Sequence, residues 1–294
     1  MPCYHPLHGH HHVNFETDKK FFSKNMSDSS EQVTFGCGQC IGCKLERSRQ
    51  WAIRCHHEVQ YQESIGKPSC FLTLTLNDFH IPRHQSLDKT QMQKFWKSLR
   101  FQLPDTDFSY YMCGEYGDET QRPHYHAILF GHDFEDKELL HQNHRGENLY
   151  KSPQLEKIWG KGHCSIGAAT FDSAAYVARY ITKKITGKHS AGHYGDRIPE
   201  YTNMSLKTPI GKKWFEKYHK DVYPSDQVII GTKELLPPRY YDKLLENLDI
   251  DMFNTIKDKR KAAAKANLDC HPQRLLVKEY IKTKKAKQLL RDKN

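Results

Sequence analysis

The 294-residue sequence has no run of about 18 apolar residues, so no membrane span is expected. Its first residues, Met-Pro-Cys-Tyr-His, carry neither a basic segment nor an apolar stretch, and no secretory leader is expected. No G-x-x-x-x-G-K-[ST] phosphate loop occurs; Gly187-Lys188-His189 does not qualify. Any separation of nucleic-acid strands would need another motor. No internal repeat is present. Apolar residues make up 37% of the chain and the mean hydropathy is −0.82, which points to a water-exposed protein.

Positive charge is in excess. Lys and Arg number 45 against 35 Asp and Glu, a net charge of +10, which favours a polyanionic partner. The excess is local. Between Ile256 and Asn294 there are 13 Lys and Arg against 4 Asp and Glu, so this segment supplies +9 and the remainder is nearly neutral. Nine cysteines, an odd number without a leader, fit a reducing compartment better than a disulfide framework.

Three divisions are expected: a Cys-rich segment and helix over 1–65, a catalytic core over 66–190, and a basic, partly helical extension over 191–294. The first thirty residues, with His8, His10, His11 and His12, read as mostly irregular. Leu45, Trp51, Ala52, Cys55 and Val59 recur at helical spacing from about Lys44 to Glu63. Cys70-Phe-Leu-Thr-Leu-Thr-Leu76 alternates like a strand and ends at Asn77-Asp78. Leu87 to Leu103 reads as a helix. Ser109–Tyr116 and His124–Phe130 read as a hairpin around the turn-rich Gly117–Pro123. Asp172 to Thr186 reads as a helix capped by Asp172 or Ser173, with Gly187 just past its end. Strands alternating with helices predict an α+β or α/β sandwich.

Residues two apart on a strand face the same way, so His124 and His126 can converge on one ion while Tyr125 points into packing. If the hairpin pairs residues whose numbers sum to 239, Glu115 lies opposite His124 and completes two nitrogens and one oxygen. Such a set leaves positions open for phosphate oxygens and water, as Mg²⁺ or Mn²⁺ phosphoryl chemistry requires. Tyr176, Tyr180 and Lys183 share a helix face. A phenol, with a reference pKa of about 10, is a weak nucleophile unless its phenolate is stabilised, and Lys183 is placed to do so. Each pattern alone is equally compatible with ordinary packing.

Cys37-x-x-Cys40-x-x-Cys43 has the spacing of a structural zinc site lacking one ligand. Cys3 is the first choice for the fourth, with Cys55 or His56 as alternatives. Iron–sulfur ligation is the other option. Arg47, Arg49 and Arg54 beside Trp51 suggest a phosphate-and-stacking patch for single strands.

Phe71-Leu-Thr-Leu-Thr75, Gly114-Glu-Tyr-Gly117 with Arg122-Pro-His-Tyr-His126, and Tyr176-x-x-x-Tyr180-x-x-Lys183 resemble, in order, the three motifs of HUH endonucleases. The tyrosine pair resembles initiators of small single-stranded DNA phages. Cys37–Cys43 followed by Glu46-Arg-Ser-Arg-Gln-Trp51 is similar to the replication initiators of gokushovirus-like Microviridae. The resemblance runs from about Cys37 to Lys184. It implies an RRM-like, five-stranded antiparallel sheet flanked by helices, with Thr73 and Thr75 beside the site. It implies His124, His126 and Glu115 as ligands for Mg²⁺ or Mn²⁺, and Tyr176 and Tyr180 as nucleophiles assisted by Lys183. The activity implied is rolling-circle initiation in the cytoplasm of a bacterial host, on single-stranded and origin DNA, with host helicase and DNA polymerase. A zinc-stabilised DNA-binding protein without catalysis is the competing reading. A plasmid initiator, relaxase or transposase of the same superfamily is a third.

Overall fold

The computed structural model describes residues 3–13, 20–23, 31–143, 146–185 and 190–291, with backbone alone at 11, 13, 20–23, 31–32, 180–183 and 287–291. In chain order the elements are strands β1 (Leu7–Val13), β2 (Lys20–Ser23) and β3 (Glu31–Phe35), helix α1 (Ile41–Ser64), β4 (Ser69–Leu74), α2 (Lys89–Gln102), β5 (Ser109–Tyr116) and β6 (Pro123–Phe130). There follow β7 (Glu138–Gln142), β8 (Asn148–Lys151), α3 (Pro153–Trp159), β9 (Cys164–Ala168), α4 (Phe171–Lys183), α5 (Ser190–Tyr194) and β10 (Tyr201–Met204). The chain ends with α6 (Lys212–Val222), β11 (Val228–Ile230), β12 (Lys233–Leu235), α7 (Arg239–Leu248), α8 (Ile250–Ala266) and α9 (Pro272–Arg291). Contacts divide it into two units, Met1–Arg47 with Arg260–Asn294, and Ser48–Lys259.

The larger unit is α+β, built on an antiparallel sheet in the order β10-β5-β6-β4-β9-β8-β7. It has seven strands rather than five. Strands β7 to β10, which the sequence does not announce, are only four or five residues long, and β7 is exposed throughout. Alternation does appear in β4, whose Cys70, Leu72 and Leu74 are buried on one face. That face packs Met112, Tyr125, Ala127 and Leu129 against Met92, Phe95, Trp96 and Leu99 of α2 and Leu155 and Trp159 of α3. Leu72 is fully buried there, and Leu72→Ala would cost about 2–5 kcal/mol.

The opposite face sets Tyr111, Cys113, Ile128 and Phe130 against Ala52, Cys55 and Val59 of α1 and Ala174, Val177 and Ala178 of α4. The small residues on α4 bring its backbone close to the sheet. Its cap is Thr170, not Asp172 or Ser173: Thr170 Oγ1 accepts from Ser173 N, and Ser173 Oγ accepts from Thr170 N, which closes the first turn. The far side of α1 meets Phe215, Tyr241 and Leu245 through Ile53. There, buried Glu58 accepts from Gly211 N at 2.7 Å, a turn with φ +79° where a Cβ would lie 2.7 Å from the Tyr241 hydroxyl. Only glycine fits both demands.

The smaller unit holds a three-stranded sheet, β2-β1-β3; within the segment expected to be mostly irregular, Leu7–Val13 and Lys20–Ser23 are strands, and 14–19 and 24–30 lie outside the described residues. Backbone pairing makes a strand of the histidine-rich Leu7–Val13 despite its scant apolar content. The basic C-terminal segment is helical, as α8 and α9. Among the described residues no helix is long and apolar enough to cross a membrane.

Candidate functional site

Strands β5 and β6 pair in the expected register, with Glu115 opposite His124 and Cys113 opposite His126. The turn between them closes through Gly117 N donating to Arg122 O at 3.0 Å. Strand periodicity then puts Glu115, His124 and His126 on the α1/α4 face, while Tyr125 turns to the other. Tyr125 is fully buried there, and its hydroxyl accepts from Asp88 N and donates to Asp88 O.

His124 Nε2 lies 2.6 Å from Glu115 Oε1, and His126 Nε2 lies 3.3 Å from the same oxygen. The three donor atoms all lie within 4.8 Å of one another, close enough to share one ion. Each imidazole is oriented through its other nitrogen. His124 Nδ1 is 3.1 Å from Arg122 O, which can only accept, and His126 Nδ1 is 3.0 Å from Thr73 Oγ1. Facing the Glu115 carboxylate, which also only accepts, His124 Nε2 carries a proton that an incoming ion would have to displace; the Nδ1 contact would then hold the ring as an outer-shell partner does. Burial alone would raise the Glu115 carboxyl, but hydrogen bonds and charge from His124 and His126 hold it down at about 2, so it is an ionised donor near neutrality. Two nitrogens and one carboxylate can share one divalent ion and leave positions open for other ligands.

Tyr176, half-buried on α4, sets its ring edge-on to His126 at 5.2 Å between centroids and to Phe71 at 6.2 Å. Phe71 in turn stacks on His126 at 5.5 Å. Tyr180 and Lys183 lie one and two turns further along α4; their side chains fall outside the described residues. Thr73 belongs to this site through His126, whereas Thr75 lies past the end of β4 and exchanges hydrogen bonds with the backbone of His163. Ligand spacing alone does not reveal Arg122, because a main-chain carbonyl carries no residue signature.

A second cluster lies in the smaller unit. Cys3, Cys37, Cys40 and Cys43 bring four sulfurs within 4.8 Å, with 4.0 Å between Cys37 and Cys43 and between Cys3 and Cys40. A tetrahedron with zinc–sulfur bonds of about 2.3 Å has edges of about 3.8 Å. The four sulfurs nearly describe it. Cys3 therefore joins the trio, while Cys55 is fully buried among the residues of α1, β5, β6 and α4 and His56 packs on Phe171. Main-chain amides of Cys37, Cys40 and Tyr4 donate to Cys3, Cys37 and Cys40 sulfur at 3.2, 3.3 and 3.4 Å. Burial would raise the Cys40 thiol, yet these and neighbouring hydrogen bonds bring it to about 7. Cys43 and Cys3 are pushed up, chiefly by burial.

Of the expected Arg/Trp patch, Arg47 is exposed, whereas Trp51 stacks on Tyr111 and two of the arginines are engaged by the fold. Arg54 is largely buried, donates both guanidinium contacts to Ile210 O, and lies over the rings of Trp51 and Tyr240. Arg49 donates to Leu236 O at 2.6 Å. These cations hold the fold.

The family model of replication-associated proteins ORF2/G2P matches residues 69–185, from β4 through α4. Over 249 residues the chain is 34% identical to the replication-associated protein VP4 of Bdellovibrio phage phiMH2K, covering 82% of this chain and 76% of that one. It is 31% identical over 295 residues to the replication-associated protein ORF2 of Spiroplasma virus 4, with 91% and 88% covered. Against the replication-associated protein ORF4 of Chlamydia phage 1 it is 26% identical over 238 residues, 75% of this chain and 57% of that one. No solved structure matches it.

Proposed function

The chain belongs to the phage replication-associated proteins, and we propose that within that family it is an HUH-type initiator that nicks one DNA strand and stays covalently attached to it. The observation that carries this reading is the meeting of Glu115, His124 and His126 with Tyr176 on one sheet face. Held by those three ligands, Mg²⁺ or Mn²⁺ would supply Lewis-acid polarisation of the scissile phosphate. The protein's own groups supply the rest. Arg122 O and Thr73 Oγ1 fix the two imidazoles, and half-buried Phe71, stacked on His126, keeps that ring from turning.

A phenol oxygen of Tyr176 or Tyr180 attacks phosphorus and loses its proton; the P–O3′ bond breaks and the departing oxygen takes up a proton. The products are a 5′-phosphotyrosine and a free 3′-OH. One phosphoester replaces another, so the bond energy is retained and the step can run backwards to rejoin DNA. Lys183 serves the phenolate and the phosphate as a cation. Host polymerase extends the 3′-OH while a host helicase opens the duplex, in the cytoplasm of the infected cell. After one circuit the second tyrosine cuts the regenerated origin while the first still holds the old 5′ end.

The cysteine cluster is assigned a structural Zn²⁺, since four protein sulfurs leave no open position for substrate. Core residues 66–190 carry the chemistry and the basic helices at the C-terminal end add salt-dependent phosphate contact. Incubation of the protein with a labelled phage origin strand and Mg²⁺ or Mn²⁺, followed by denaturing electrophoresis, tests the reading. A denaturant-resistant adduct mapping to Tyr176 or Tyr180 is expected. DNA binding with no adduct under any divalent ion would overturn it in favour of a non-catalytic binding protein.

A further inference from the structure

Directly after β4 the chain leaves the sheet in a short turn over residues 77–85, and this turn is held firmly. Asn77 Oδ1 accepts from His80 N at 3.2 Å and lies 2.7 Å from His80 Nδ1, while Asn77 N donates to Lys161 O at 2.8 Å. Gln91 Nε2 donates to His80 O at 3.0 Å. The Arg122 guanidinium pairs with Asp78 Oδ1 at 2.7 Å and donates to Leu76 O at 2.8 Å. Amid these bonds the Phe79 ring is 96% exposed, more than any other large apolar side chain among the described residues.

A solvated apolar side chain is by itself ordinary. Phe79 differs in rigidity and in place. The Arg122 whose guanidinium pins this turn is the residue whose carbonyl orients His124. The turn and a candidate metal ligand are thus two ends of one residue's contacts. Arg83, exposed four residues on in the same turn, is a cation available to phosphate.

We propose that Phe79 is a stacking platform for one base of single-stranded DNA led to the Glu115–His124–His126 face, a proposal that rests on the reading of that face as a DNA-cutting site. A duplex hides its base faces; a single strand offers them, and any base can stack on a phenyl ring without sequence preference. Because the turn is already ordered, little conformational freedom is lost when a base arrives.

The test uses the full chain, no divalent ion, and fluorescein-labelled oligothymidylate of about twenty nucleotides, with a duplex of the same length as control. Per-base stacking of about 1–3 kcal/mol predicts that Phe79→Ala weakens single-strand binding by about fivefold to a hundredfold. Phe79→Leu should fall with it, Phe79→Trp should bind as well as the parent, and duplex binding should be unchanged in all three. Single-strand affinity within about twofold of the parent in Phe79→Ala would overturn the proposal, as would an equal loss on duplex. The two readings part cleanly. Phe79-dependent binding without any covalent adduct removes the nicking reading alone, and an adduct with no Phe79 effect removes this one alone.

Discussion

Among the described residues two clusters bring metal-ligand side chains together, and they differ in nearly every respect. Cys3, Cys37, Cys40 and Cys43 offer four soft sulfurs in a near-tetrahedron, in the unit made from the two ends of the chain. Glu115, His124 and His126 offer two nitrogens and one oxygen on adjacent strands of the central sheet, with an aromatic phenol against one of them. A full tetrahedron has no vacancy for substrate, while three ligands leave several. On the proposed reading the closed cluster clasps the fold and the open one works on substrate. The lesson is that donor number and hardness separate structural from chemical sites before any ion is seen.

The largest expected effect comes from disabling the open cluster. His124→Ala, or Tyr176→Phe combined with Tyr180→Phe, should lower adduct formation by about a thousandfold or more while single-strand binding persists, measured on labelled origin DNA. Retained nicking in either would erase the distinction. Disabling the closed cluster should act on stability instead. Cys40→Ser should abolish stoichiometric zinc by elemental analysis and lower the melting temperature by about 5 °C or more, with the adduct still formed by the protein that remains folded. Zinc-free parent protein with an unchanged melting temperature would defeat the clasp.

A smaller loss is expected from the supporting layer. Thr73→Val removes the partner of His126 Nδ1 and should weaken divalent-ion dependence or nicking by about tenfold to a hundredfold with no change in melting temperature. The smallest effect is on acid stability. Glu115 titrates at about 2 when folded against an ordinary 4.5, so the folded state binds fewer protons than the unfolded chain between those values. Its contribution is present above about 4.5 and is lost as pH falls toward 2. Glu115→Gln should flatten that part of the stability curve in ion-free buffer; an unchanged slope would mean the carboxylate is not held by the histidines.

Much of the open site was legible because its signals are local. The period of two in His124-Tyr-His126 fixes a face, whereas the register that brings in Glu115 is only conditional in the sequence, since loop length alone does not set it, and is supplied by the strand pairing. Helices α1, α2 and α4 were legible from their periodic apolar residues, to within a few residues at their ends. The cap on α4 was missed because Thr170, Asp172 and Ser173 are all good caps and only the backbone path selects one. Strands β7 to β10 leave little signal in the sequence because they are only four or five residues long, and β7 and β10 are half-exposed or exposed sheet edges. The Arg54 patch failed for a different reason. A guanidinium flanked by aromatic rings has the same sequence signature whether the rings are for a base or for the core, and here Ile210 O already takes its donors.

The pairing of β10 with β5 has a consequence for synthesis. Glu115 sits on β5, and among the described residues that strand's outer edge pairs with Tyr201–Met204, encoded far downstream. At ribosomal rates of about 5–20 residues per second, a nascent chain waits on the order of several seconds with this edge bare. During that interval its unpaired amides and carbonyls can recruit another growing chain. Codons between β5 and β10 thus set an exposure time, and any fragment ended before Met204 makes that exposure permanent.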